Sequence, residues 1–362
     1  DLLIKTIAEE TKTALNADRC TIFMYDKENN ELYSKVATGL DTKELRIPAD
    51  KGLAGHVVQT GETINIKDAY NDKRFNPNVD KKTGYRTKTI LCMPIKNFNQ
   101  EIIGVFQVLN KFDEYFTPDD EDLLIAIASS AGISLENAQL FERQRKLLEE
   151  QKVVLDSFIE TLATSIDARD KITSGHSSRV KMYSSLIAQE FGMEKNDLYI
   201  LEKAAALHDI GKIGIRDSVL QKEGKLTPEE YKHIQQHVEI THHILEKIHM
   251  SEDFKQITEI ACSHHEKYDG TGYYRHLKGE EIPFGGRILA VSDVFDAITS
   301  KRHHRDKMPI EKVIDIIKNG AGSHFDPLVV DKFLDIKLSK IVGVFITENH
   351  MVIDKEDLVT LE

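Results

Sequence analysis

The chain has 362 residues, 30% of them charged and 40% hydrophobic, with a formal net charge of -12 at pH 7. That length suggests two domains with a core each, and the acidic balance excludes a nucleic-acid backbone as the main partner, because that needs a basic face. It leaves room for a small anionic ligand held by local Arg and Lys. No apolar run approaches the roughly 20 residues that span a bilayer. There is no signal peptide, and the start at Asp1 is consistent with an excised fragment. Cys20, Cys92 and Cys262 are isolated and odd in number, which argues against a disulfide framework or a thiolate metal site and for a reducing cytoplasm.

The first third reads as mixed α/β. Residues 1–16 have helical spacing, and "CTIFMYD" and "ELYSKVA" flank the turn "KENN" as a hairpin. "GLAGHVVQTGE" reads as a short helix between glycines, while "TKTILCMPI" and "EIIGVFQVLN" read as strands. Few connections are long enough for parallel crossovers, so a largely antiparallel sheet with helices packed on it is expected.

From Thr117 the pattern becomes helical. Thr117 and Pro118, followed by acidic residues, start a helix that runs for some fifty residues with only Gly132 to interrupt it. Phe141, Leu148, Leu155 and Leu162 recur every seven residues, as do Leu140, Leu147 and Val154, with Gln144 and Gln151 between them. This imperfect heptad stripe fits either a helix packed on its own domain or a dimer stalk joining two domains. Beyond residue 165, helix follows helix, and the tail "IVGVFITENHMVID" alternates like a small hairpin.

Ten of the fifteen histidines lie between 176 and 276. The informative unit is "ALHDIGKIGI", where His208 and Asp209 follow an apolar helix and a buried charge there requires a partner. His176, His237, His264, His265 and Asp293, the last within "RILAVSDVFDAI", could join them. Imidazoles and carboxylates without thiolates suit Fe or Mn, and also Zn or Ni. Seven candidate ligands exceed the need of one ion, and a central carboxylate can bridge two. Two ions would clamp a phosphodiester and lower the pKa of a bridging water. Lys212, one turn beyond Asp209, could neutralise phosphate charge. His233 and His237, four apart, share a helix face and form a second candidate pair. His242, His243, His249, His303, His304 and His350 read as solvated surface.

Residues from about 160 to 335 resemble the HD-GYP family, a branch of the HD phosphohydrolases, through "GHSSRV", "LHDIGKIGI", "HHEKYDGTGY", "LKGEEIP", "RILAVSDVFDAIT" and "HFDP". The family cleaves cyclic di-GMP to linear pGpG or on to GMP with a metal cluster. The resemblance implies that His176, His208, Asp209 and Asp293 hold one metal, with Asp209 bridging to a second held by His237, His264 and His265. It further implies that Lys212 contacts the scissile phosphate, that Arg302 and Arg305 bind the other phosphate, and that Tyr273 contacts ligand. Ile172 stands where some members carry a third-metal Glu, so two divalent ions are expected, Fe or Mn. Tyr274 replaces the Pro of the name-giving triplet, which is expected to leave the loop more mobile and place a ring near the ligand entrance. "RHHR" also departs from the family's Arg-Pro-Tyr-Arg.

Residues 1–135 resemble a GAF domain, a small-ligand sensor module. Asn110, Lys111, Phe116, Asp120 and Glu121 match the pattern of cyclic-nucleotide-binding members, in which the Lys and Asp pair to lock the fold. A GAF domain that dimerises, or binds another small ligand, is the alternative. The expected architecture is thus an α+β GAF domain (1–135), a linker helix (119–162), an all-α HD-GYP domain (160–337) and a tail (338–362). The expected activity is cyclic di-GMP hydrolysis, with Asp209 and Lys212 catalytic, in a cytoplasmic homodimer joined through the stalk helix. The alternatives are a catalytically weak cyclic-dinucleotide receptor, or an HD phosphohydrolase for hybrid cyclic dinucleotides or mononucleotides.

Overall fold

The computed structural model describes residues 2–34, 45–77, 80–81, 84–169, 175–248, 252–299, 310–337, 339–341 and 343–344. The chain divides into two compact units, Asp1–Glu150 and Gln151–Glu362. Of the tail read as a hairpin, Ile341, Gly343 and Val344 are described and are helical; its remainder, with Ile172, Arg302, Arg305, His249, His303, His304 and His350, falls outside the described residues.

The first unit is built on a six-stranded sheet. Helix α1 (Leu2–Ala14) leads into β1 (Ala17–Asp26) and β2 (Glu31–Ser34), followed by β3 (Leu45–Pro48), helix α2 (Gly52–Thr60), β4 (Ile64–Ile66), β5 (Ile90–Lys96) and β6 (Ile102–Lys111). The strand order is β3-β2-β1-β6-β5-β4, and every neighbouring pair is antiparallel. The expected hairpin is present, with Asp26 opposite Glu31. Alternation splits β1 between two cores, as a two-residue period requires. Cys20, Ile22 and Met24 join a cluster with α1 on one face, while Phe23 packs with Leu53 and Val57 of α2 on the other.

Helix α3 (Pro118–Arg169) is longer at both ends than the expected linker. Asp120 accepts hydrogen bonds from the Thr117 amide (2.7 Å) and hydroxyl (2.9 Å), which fixes the start. Leu124, Ala128, Ala131 and Leu135 enter the core of the first unit. Ile159, Ala163 and Ile166 enter a core of the second. Between them Leu140, Phe141, Leu147, Leu148 and Val154 are exposed, Phe141 by 71%. By length and composition alone, one stretch of this helix is apolar enough to cross a bilayer; four of its apolar residues pack in the core of the first unit, while Leu123, Ile125 and Ile133 are exposed.

The second unit is helical, as expected. It comprises α4 (His176–Glu190), α5 (Lys195–Leu207), a tight turn at Ile210–Gly214, the short α6 (Asp217–Leu220), α7 (Pro228–Leu245), α8 (Glu252–Ala261), α9 (Phe284–Thr299), α10 (Ile310–Asn319) and α11 (Pro327–Asp335). Helix α7 starts on a capping box. Thr227 Oγ1 accepts from the Glu230 amide, Glu230 accepts from the Thr227 amide, and Pro228 opens the first turn.

The GAF-like motif residues all make structural bonds. Asn110, at φ +55°, accepts from the Lys88 amide (2.6 Å) and donates to the Arg86 carbonyl (2.9 Å). Lys111 Nζ, half-buried, lies 2.7 Å from Oδ1 of the buried Asp120; Phe116 is buried; and Glu121 accepts from Asn65 (2.7 Å). Replacing Lys111 by Met strands a buried carboxylate and is expected to cost about 3 kcal/mol, read as a lower denaturation midpoint for the first unit. Lys146→Ala, which removes the exposed 3.9 Å pair with Glu150, is expected to leave that midpoint in place.

Candidate metal centre

Five helices and one tight turn deliver the candidate ligands. His176 opens α4 after Gly175, whose φ is +73°. His208 caps the end of α5, and Asp209 starts the tight turn. His237 lies on α7, His264 and His265 follow α8, and Asp293 lies on α9. Close approach of the turn to α7 is what brings the first group to the second. A Cβ on Gly211 would fall 1.9 Å from the His237 carbonyl oxygen, so only glycine fits. Thr241 seals the contact, accepting from the Gly211 amide (3.0 Å) and donating to the His208 carbonyl (3.1 Å).

The seven ligand candidates converge. His176, His208 and Asp293 offer ligand atoms within 4.8 Å of one another, as do His237, His264 and His265, and likewise His208, Asp209 and His264. Asp209 stands between the groups. Its Oδ2 lies 3.4 Å from His208 Nε2 and 3.6 Å from His176 Nε2, and its Oδ1 lies 3.4 Å from His237 Nε2. Lys212 Nζ pairs with Asp209 Oδ2 at 2.7 Å.

The imidazoles are oriented from behind. Nδ1 of His208, His237 and His264 each bonds the carbonyl three residues earlier, at 2.7, 2.6 and 2.6 Å. That assigns the proton to Nδ1 and turns Nε2 inward as a lone-pair donor. His208 Nε2 is buried and makes no well-aligned hydrogen bond among the described residues, its near neighbour being Asp209 Oδ2 at 3.4 Å, an arrangement that a cation between them would satisfy. Burial, and then the neighbouring imidazole of His237, hold His265 down at about 3. Burial also lowers His264 and His237, so this trio is neutral, the state a metal requires. Burial opposes the charge of His176 as well, but Asp293 and Asp296 overrule it and raise that imidazole to about 10. A cation among those carboxylates displaces that proton. The donor set therefore fits a divalent metal.

Two positioning residues escape sequence reasoning. Asp296 is 1% exposed and accepts from His176 Nδ1 at 2.8 Å. Arg179 grips its carboxylate with both prongs, at 2.7 and 3.0 Å. The only signal was the i, i+3 spacing from Asp293, which any helix supplies. Glu266, equally buried, accepts from the Arg275 (2.7 Å) and Leu277 (3.1 Å) amides and pins the loop that follows the paired histidines.

Of the substrate-binding candidates, Tyr273 stacks on His265 with centroids 4.7 Å apart and donates its amide to the His265 carbonyl at 3.2 Å. His233 does not join His237. It bonds Gln236 (2.7 Å) and accepts from the Arg216 amide (3.3 Å), because its ring leaves the helix one turn earlier. His243 is exposed, whereas His242, expected at the surface, is half-buried with Tyr274 5.8 Å away, ring to ring. Tyr274 itself has φ +92°. Proline, fixed near -65°, does not fit this backbone.

Two outcomes are expected. Asp296→Asn weakens metal binding by about 10- to 100-fold with the helical fold retained, measured by chelator competition and circular dichroism. Tyr274→Pro destabilises the second unit by more than about 1 kcal/mol while Tyr274→Gly is tolerated, measured by thermal melts.

With this geometry in place, comparison with known proteins assigns the domains. Residues 1–135 match the GAF domain model and residues 160–329 the HD domain model. A 3'3'-cGAMP-specific phosphodiesterase 2 of Vibrio cholerae is 35% identical over 240 residues, covering 66% of this chain and 44% of that protein. A cyclic di-GMP phosphodiesterase of Thermotoga maritima is 42% identical over 179 residues, covering 49% of this chain and 48% of that protein. Among solved structures, a cyclic GMP-AMP specific phosphodiesterase of V. cholerae covers 52% of this chain and 49% of that one at 19% identity, with a TM-score of 0.40. The chain spans about half the length of the relatives it matches. The chain thus carries a GAF domain followed by an HD domain.

Proposed function

We propose that the chain hydrolyses cyclic di-GMP to pGpG or GMP at a centre of two divalent ions, Fe or Mn, under control of its GAF domain. The observation that carries this reading is Asp209, with one carboxylate oxygen toward His176 and His208 and the other toward His237. When bound, such ions supply Lewis acidity toward the phosphodiester and acidify a coordinated water. The chain's own residues do the rest. Lys212 holds its ammonium at the Asp209 carboxylate, where it meets phosphate charge, and Tyr273 presents a ring braced by His265. Backbone carbonyls fix the tautomers of His208, His237 and His264, so little reorganisation of these rings is needed when substrate arrives. Arg302 and Arg305 are assigned the second phosphate on the family motif alone. A cytoplasmic setting fits three buried cysteines, none of them in a disulfide.

The exposed stripe of α3, with Leu140, Leu147 and Val154 one heptad apart, supports pairing with a second copy. A cyclic nucleotide is the GAF ligand that its motif suggests, acting through α3. A second reading, a hybrid cyclic dinucleotide as substrate, is favoured by the similarity to the cGAMP-specific enzyme.

The test is turnover by anaerobically purified, metal-analysed protein on cyclic di-GMP, 3'3'-cGAMP and mononucleotides. Conversion of cyclic di-GMP is expected to be fastest, and to fall by at least about 1000-fold in His208→Ala/Asp209→Ala, roughly 4 kcal/mol of lost transition-state stabilisation. Binding without turnover in metal-loaded protein would instead establish a receptor.

A further inference from the structure

The last turn of α3 is part of the catalytic centre's scaffold. Asp167 and Arg169 are two residues apart, so they leave the helix about 200° from each other. Asp167, buried, accepts from the Ser177 amide at 3.0 Å and the Ser177 hydroxyl at 2.8 Å, immediately after His176. Arg169 points to the other group. Its Nη1 donates to the Lys212 carbonyl at 2.7 Å and its Nη2 to the Ile215 carbonyl at 2.5 Å. The guanidinium is aimed by Asp217, whose Oδ1 accepts from Nε (3.0 Å) and Nη2 (2.8 Å). Gln221 closes the set by donating to the Arg169 carbonyl at 3.2 Å.

What Arg169 holds is the turn that carries Lys212. Within it, the Lys212 amide donates to the Asp209 carbonyl (2.9 Å) and the Ile215 amide to the Lys212 carbonyl (3.0 Å). The Lys212 carbonyl thus receives both a turn bond and the guanidinium bond, while Lys212 Nζ reaches Asp209. An Arg is suited to this because its planar fork satisfies several acceptors in one geometry. The guanidinium supplies the Ile215 carbonyl with a donor and the Lys212 carbonyl with a second one beside the Ile215 amide.

We propose that Arg169 and Asp167 are positioning residues. Arg169 sets the turn that aims Lys212 and Asp209, and Asp167 sets the helix start that aims His176. The end of α3 is the wedge between them. The inference rests on the reading of Lys212 and Asp209 as catalytic. It adds the point at which a movement of α3, the helix that also supplies the core of the first unit, reaches the chemistry.

The test uses the full chain loaded with Mn(II), and bis(4-nitrophenyl) phosphate alongside cyclic di-GMP, so that failure of the substrate assignment is separated from failure of this inference. Arg169→Ala is expected to lower kcat at least tenfold with KM within threefold and metal content unchanged. On a Lys212→Ala background it is expected to have no further effect on the generic diester. Hydrogen exchange, which needs no turnover, is expected to quicken at least tenfold at the Lys212 and Ile215 amides and to be unchanged at residues 238–245. Asp167→Ala is expected to quicken exchange at Ser177 alone. Losses in kcat that multiply in the double variant, or exchange that quickens throughout the second unit, would show a merely structural role and overturn the proposal.

Discussion

An imidazole has two nitrogens, and here one of them is spent before any ligand arrives. His208, His237 and His264 each commit Nδ1 to the carbonyl three residues back, and His176 commits its own to Asp296. His208 and His264 make this bond at helix ends, whereas His237 makes it within α7. Everything inward follows. The Nε2 atoms face a common space, and Asp209 stands among them. A burial cost that would be prohibitive for bare side chains becomes the source of order in the centre.

Much of this was legible in the sequence, and for a definite reason. Metal ligands must be specific residue types, and those types are expensive on an apolar helix face. His208–Asp209 after "AAAL" and Asp293 within "ILAVSDVF" therefore stand out from their surroundings. The antiparallel sheet was legible too, since β1, β5 and β6 alternate or run apolar between polar turns.

What was not legible depends on contacts between distant segments. Asp296 and Arg179 lie 117 residues apart and meet only in the fold. Arg169 looks like an ordinary basic residue at a helix end, the place where the helix dipole alone would put one. His233 and His237 satisfied the same spacing rule. Only the direction of each ring, inward or toward Arg216, separates them. Spacing along one helix specifies a face, and a site needs the faces of several.

Tyr274 carries a consequence for how such chains are compared. A tyrosine at φ +92° and a proline fixed near -65° are not two occupants of one loop, one stiffer than the other. The backbone that this tyrosine occupies is one that proline does not take. The segment to compare is the whole span from His265 to Leu277, which Glu266 closes like a clasp by its bonds to the Arg275 and Leu277 amides.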